Sequence, residues 1–279
     1  MFINMFIKRC QCLFVIMSLL GLFSCAQSTT QKPEKTRESS LRRAAKLLPG
    51  DSAMGTPDYH RAALVNVELG LGYLSQGQVA RAKTKLTHAV KLAPKISETH
   101  SAMAYFLEMI GEFKDAEREH KKAVGFSGQG AVYNNYGAFL CRRGRLKEAD
   151  QAFHAAIEDK EYARTAEVYE NAGLCALKWP DDSKATEYLT TAVRRDPSRS
   201  SAFLELATLS LKQGKFEEAK EWLNRYKAIA EQSARSLWLG IGVSKGLKDE
   251  DSAASQATML KNLFEDSPEY QLYVKSGKS

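Results

Sequence analysis

The chain has 279 residues, 44% hydrophobic and 26% charged, with a formal charge of +7. That length suits one or two ordinary domains or one stacked solenoid, and the composition is that of a soluble protein. Lysine and arginine are scattered among acids rather than massed in a stripe, which argues against a nucleic-acid partner.

Residues 1–24 read as an export signal. Lys8 and Arg9 form the charged start, and Leu13 to Phe23 form an apolar run too short for a comfortable membrane span. Without those two cations the remaining chain carries about +5. The run ends in Leu22-Phe23-Ser24-Cys25, which resembles the lipobox of bacterial lipoproteins: a leucine three before the cysteine and a small residue just before it. Phe23 departs from the usual small residue. The resemblance implies diacylation of Cys25, cleavage before it and acylation of the new N-terminus, with palmitate among the acyl chains. Ala26, where an aspartate would retain the protein, implies sorting to the outer membrane in diderm bacteria. Several acyl chains anchor stably where one would not. The alternative is an ordinary secretory signal or inner-membrane anchor with Cys25 unmodified. Residues 25–57 then form a tether, polar from Gln27 to Pro33, with a short helix expected from Ser40 to Leu48 and stopped by Pro49-Gly50.

A ladder of small residues follows. Gly70, Ala104, Gly137, Gly173 and Ala207 step by 34, 33, 36 and 34 residues, and each is followed twelve residues later by Ala82, Ala116, Ala149, Ala185 and Ala219. A period of about 34 is the signature of tetratricopeptide (TPR) repeats, each a hairpin of two helices. The predicted fold is all-α, a right-handed superhelical solenoid of about six such hairpins over 58–268. The units run 63–96, 97–129, 130–165, 166–199, 200–233 and a degenerate 234–268, followed by a tail at 269–279. Small residues let helices approach, large ones fill the gaps, and stacking buries faces that no hairpin buries alone. Gly77, Gly111, Gly144 and Gly214 occupy the turn inside each hairpin, with Pro180 instead in the fourth. Trp238, Gly242, Ala254, Leu260 and Pro268 carry the sixth unit.

In this architecture the first helix of each hairpin lines a concave groove. In the first repeat the groove positions are Leu64, Val67, Leu71 and Leu74, all apolar, although Leu69 and Tyr73 already supply the core face. The second adds Tyr105 and Met109, residue types common at adaptable contact surfaces. The third presents Asn134, whose amide suits an extended peptide backbone or simple solvent exposure, while Asn135 reads as a local structural contact. This points to a groove for an apolar or amphipathic peptide. The alternative is that residues 40–56 fold back over it.

Cys141 and Cys175 lie one nominal repeat apart on the first helices of adjacent units. In an exported chain they are candidates for a disulfide, against two separate buried thiols. The five histidines fall in different helices, none at i, i+4 with another, so no metal pattern emerges. There is no phosphate-binding glycine loop and no nucleophile elbow. The reading is of a non-enzymatic protein without cofactors, apart from lipid on Cys25, and without a small-molecule substrate.

Three stretches go beyond a generic repeat: Tyr133 to Cys141 (YNNYGAFLC), Ala234 to Ile241 (ARSLWLGI) and Ser267 to Gln271 (SPEYQ). With the lipobox and six units, the chain resembles the PilF/PilW family of type IV pilus biogenesis lipoproteins. The resemblance implies an outer-membrane pilotin on the periplasmic face, binding the PilQ-type secretin and promoting its localisation and multimerisation. It also implies contact through hydrophobic groove residues of the N-terminal repeats, here Leu64, Val67, Leu71, Leu74 and Tyr105. Rival readings are a TPR envelope adaptor scaffolding peptidoglycan enzymes or a protease, and a lipoprotein aiding outer-membrane protein insertion.

Overall fold

The computed structural model describes residues 58–180 and 182–277, which belong to one compact unit, 58–279. The signal, Cys25 and the tether lie outside the described residues.

Thirteen helices are described, and no strand is among them. Twelve pair into six hairpins: α1 (Tyr59–Ser75) with α2 (Val79–Leu92), α3 (Ser97–Met109) with α4 (Phe113–Phe126), α5 (Gly130–Arg142) with α6 (Leu146–Glu158), α7 (Thr165–Ala176) with α8 (Ser183–Arg195), α9 (Ser200–Lys212) with α10 (Phe216–Lys227), and α11 (Ala234–Gly246) with α12 (Glu250–Phe264). Each hairpin stacks on the next, and consecutive first helices (α1, α3, α5 and onward) also touch, so the chain is an all-α TPR solenoid.

The ladder explains the pairing. A Cβ added to Gly70 would lie 2.6 Å from Leu86 Cγ, one on Gly137 2.8 Å from Phe153 Cε1, and one on Gly173 2.6 Å from Leu189 Cγ. The missing side chain is what lets the second helix lie against the first. Gly77, Gly111, Gly144 and Gly214 all take positive φ, between 72° and 84°, as the turn requires. In the fourth hairpin the connection lengthens to 177–182, against 143–145 in the third, and none of its described residues takes a positive φ.

Three expectations need correction. The sixth unit is in a different register: Gly240, not Gly242, opposes the second helix, since its added Cβ would meet Gln256 Oε1 at 2.6 Å. Gly242 instead faces Leu211 of the preceding hairpin, and Ala253 is buried while Ala254 is exposed. The tail expected at 269–279 is mostly a thirteenth helix, α13 (Pro268–Ser276), capped by the Ser267 hydroxyl, which accepts from the Tyr270 amide. Its Tyr270 and Tyr273 cover the terminal core of Leu237, Ile241, Ala257 and Leu260, so it closes the last hairpin as a solenoid end must. Leu69, assigned to the core face, is 43% exposed. No preceding hairpin stands against α1 among the described residues.

Cys141 of α5 and Cys175 of α7 form a disulfide, with Cα atoms 5.8 Å apart. It lies within the main core, which runs from Ala116 to Val243.

Candidate functional site

The walls of a pocket of about 460 Å³ come mainly from α1, α3 and α5. Val67 and Leu71 of α1 form one side. Glu98, Ser101, Ala102, Tyr105 and Glu108 of α3 lie at helical spacing along the middle, and Ala131, Val132, Asn135, Ala138 and Arg142 of α5 form the other side. A 3.6-residue period puts such positions on one helix face, so three stacked first helices present one trough, apolar along Val67, Leu71, Ala102, Tyr105, Val132 and Ala138 and polar at the residues between them. Across its mouth, Arg142 donates from Nε and a terminal nitrogen to the two carboxylate oxygens of Glu108, at 2.6 and 2.7 Å. This pair ties α5 to α3.

The predicted groove residues divide. Val67, Leu71 and Tyr105 line the pocket, Tyr105 with 46% of its surface exposed. Leu74, half-buried, packs on the cluster of Leu86 and Phe106, as Val67 and Leu71 also do, but is not part of the pocket lining. Leu64 is half-buried outside the lining, and Met109 is exposed beyond it. The two asparagines exchange roles. Asn134 is 2% exposed, accepting from Asn171 Nδ2 at 3.1 Å and donating to Glu167 Oε1 at 3.4 Å. Both of its amide atoms are thus spent joining α5 to α7. Asn135, one residue on, is exposed and lines the pocket.

One lining residue escaped the sequence reading. His120 of α4 forms part of the inner wall, only 2% exposed. It lies sixteen residues after Ala104, where the other ladder residues are followed by Leu86, Phe153, Leu189 and Leu223. That substitution of a polar ring for a core hydrophobe was visible in the aligned repeats. Its ring packs 4.9 Å from Phe139 and 5.6 Å from Tyr136, centroid to centroid. Among the described residues neither ring nitrogen has a hydrogen-bond partner, and the Ser101 hydroxyl is likewise buried without one. Leaving such a group unpaired costs about 1–3 kcal/mol. The cost is avoided at the other buried histidine of this region: His100 Nε2 donates to the Pro94 carbonyl at 2.9 Å, and Nδ1 meets Glu119 Oε2 at 2.6 Å. Burial holds His120 down to about pKa 4, so its ring is neutral at pH 7 and offers one donor and one acceptor.

Among the described residues, no group of three or more His, Cys, Asp or Glu is placed to hold a metal ion, and no helix is long and apolar enough to cross a membrane.

Fold and trough together define a TPR scaffold, and the tetratricopeptide repeat family profile matches residues 183–237. The chain is 33% identical to the type IV pilus assembly protein PilF of Pseudomonas aeruginosa over 258 residues, 92% of this chain and 95% of that one. The chain belongs to the PilF family of TPR proteins of type IV pilus assembly. A solved structure of Pseudomonas aeruginosa PilF superposes with a TM-score of 0.70 at 34% identity, over 78% of this chain and 99% of that one. The structure of PilW, a type IV pilus biogenesis factor, shares the fold with a TM-score of 0.69 at 24% identity, over 76% and 98% of the two chains.

Proposed function

We propose that this chain is a lipid-anchored pilotin. Acyl chains on Cys25 hold it at the periplasmic face of the outer membrane, and the trough of the first three repeats captures an apolar segment of a PilQ-type secretin. Tethering raises the effective concentration of the captured segment, so localisation and multimerisation of the secretin follow from one binding event. The observation that carries the reading is the apolar trough walled by Val67, Leu71, Tyr105 and Val132 in a chain of the PilF family.

The test uses exposed lining residues, because Leu71 and Leu74 are half-buried against the cluster of Leu86 and Phe106. Tyr105→Glu and Asn135→Lys should abolish co-purification of the secretin and its multimers while helical content and thermal midpoint stay near those of the parent. Normal multimers in both variants would refute the groove assignment. Recovery of a peptidoglycan hydrolase or protease in place of the secretin would favour an envelope adaptor instead. Cys25→Ser should release the protein from the membrane fraction, and retention there would remove the lipid anchor from the scheme.

A further inference from the structure

The first hairpin ends the solenoid, and one of its faces leaves open what the interior hairpins bury. Val65, Leu69 and Tyr73 recur every fourth residue along α1 and form one stripe. Val65 is 47% and Leu69 43% exposed, whereas Thr99, Val132, Val168 and Ala202, which hold the place of Val65 in the next four hairpins, are at most 3% exposed. Alongside, α2 sets Arg81, Lys85 and His88 at i, i+4 and i+7, again on one face. A shallow recess of about 360 Å³ joins the two rows, lined by Tyr73, Ala80, Arg81, Thr84 and Lys85. The Arg81 guanidinium lies 5.7 Å from the Tyr73 ring centroid.

This hairpin is also the one place where cations stand without acids. Residues 69–97 contain Arg81, Lys83, Lys85, Lys91 and Lys95 and no aspartate or glutamate. At the place of Arg81 the next hairpins carry Asp115, Glu148, Lys184 and Glu218, and Lys184 pairs with Asp150 of the hairpin before it. Among the described residues none of the five cations has an ion-pair partner; Arg81 donates from one terminal nitrogen to Gln78 Oε1, at 2.9 Å. Of the acids nearest in sequence, Asp58 is spent capping α1, and Glu68, two residues before the α2-facing Gly70, is turned about 200° away from it. An apolar row beside an unopposed basic row suits an anionic membrane surface, where apolar side chains enter the headgroup boundary and cations meet phosphates. The chain leading from Cys25 also enters the solenoid at this hairpin.

We infer that this end face docks on anionic phospholipid headgroups, with Arg81 and Lys85 meeting phosphate and Val65 and Leu69 entering the headgroup boundary. This rests on the membrane anchoring proposed above and adds an orientation. Acyl chains alone fix where the protein is but not which way it faces. A docked end face stands the solenoid on the membrane by its first hairpin, which keeps the trough of the first three repeats next to the surface.

The chain purified from membranes is reconstituted into vesicles of phosphatidylcholine alone or mixed with phosphatidylglycerol. A donor fluorophore is placed by Gln76→Cys, in the exposed turn beside the face, or by Ser255→Cys, exposed on α12 of the last hairpin. Acceptors sit on the lipid headgroups. Energy transfer from the donor at 76 should rise on the anionic vesicles and return to the phosphatidylcholine level in high salt, while transfer from 255 should show no rise. Each cation near such a surface contributes about fivefold. Arg81→Gln/Lys85→Gln should therefore lower the docked-to-free ratio about 25-fold and leave helical content unchanged. Transfer from 76 that ignores lipid charge, or that survives in the double variant, would overturn the inference. A dependence on protein concentration would overturn it in favour of a second copy, and a dependence on an added acidic protein in favour of a protein partner. Stable insertion into both kinds of vesicle with no rise in transfer removes the docked face and leaves the lipid anchor. Binding to neither kind removes both.

Discussion

Arg142 and Glu108 face each other across the mouth of the trough as a two-point ion pair, guanidinium to carboxylate, with Glu108 almost wholly covered and Arg142 half-exposed. Two parallel bonds make this the firmest polar tie between α3 and α5 at that site. Its partial exposure limits its worth. A double-mutant cycle of Arg142→Ala and Glu108→Ala should give a coupling of about 1 kcal/mol, falling as salt is raised. A coupling near zero at low salt would mean that the pair contributes nothing beyond solvated charges.

The Cys141–Cys175 bridge closes a loop with a sequence separation of 34. Constraining the unfolded chain over such a loop stabilises by about 3–4 kcal/mol in the chain-entropy account. Contacts in a solenoid run mainly to neighbours, so the effect should be local. The Cys141→Ser/Cys175→Ser double variant should lose hydrogen-exchange protection chiefly in α5 to α7, with α1 and α12 little changed. Uniform loss along the chain would contradict a local staple.

The repeat period made the six hairpins, their turns and the close-approach glycines legible, because a small residue every 34 or so has one structural use here. Three things escaped it. Asn134 and Asn135 are adjacent, and one residue on a helix turns a side chain by about 100°; only the partners on α7 decide which of them is buried. The sixth unit offers Gly240 and Gly242, and packing of Gln256 and Leu211 decides between them. Helix α13 lies beyond the last period, where repetition gives no signal, although Ser267 followed by Pro268 is a helix start that local rules recognise.

Two glycines on first helices should respond oppositely to alanine. At Gly173 a Cβ would lie 2.6 Å from Leu189 Cγ and 3.2 Å from the Leu189 backbone nitrogen, so Gly173→Ala must push α8 away from α7. A loss of about 1–3 kcal/mol is expected. At Gly72 none of the described residues lies within 4 Å of the added atom, and Gly72→Ala should stabilise α1 by up to about 1 kcal/mol. Denaturant midpoints of the two variants check the pair. Equal shifts would mean that close approach does not set the spacing of these helices.

His120 should also make stability depend on acidity. Its ring is held from the ordinary 6.5 down to about 4, chiefly by burial; Glu108 and Glu117 pull the other way, and Arg142 adds to the fall. Between those values the unfolded chain binds a proton that the folded chain refuses, so stability falls as pH drops from about 6.5 towards 4. The full difference is about 3 kcal/mol at the lower end. Carboxylates such as Glu117, held down to about 2 mainly by Arg145, add their own losses in acid. The useful quantity is therefore the difference between parent and variant. His120→Leu should be more stable than the parent at pH 7 by about 1–3 kcal/mol, having shed two unpaired nitrogens, and its advantage should widen by about 3 kcal/mol towards pH 4. Denaturation of both proteins at pH 7 and pH 4.5 measures this. Parallel losses in parent and variant would show that the ring takes up its proton as readily when folded as when unfolded, and that His120 is not the dry, neutral group its surroundings describe.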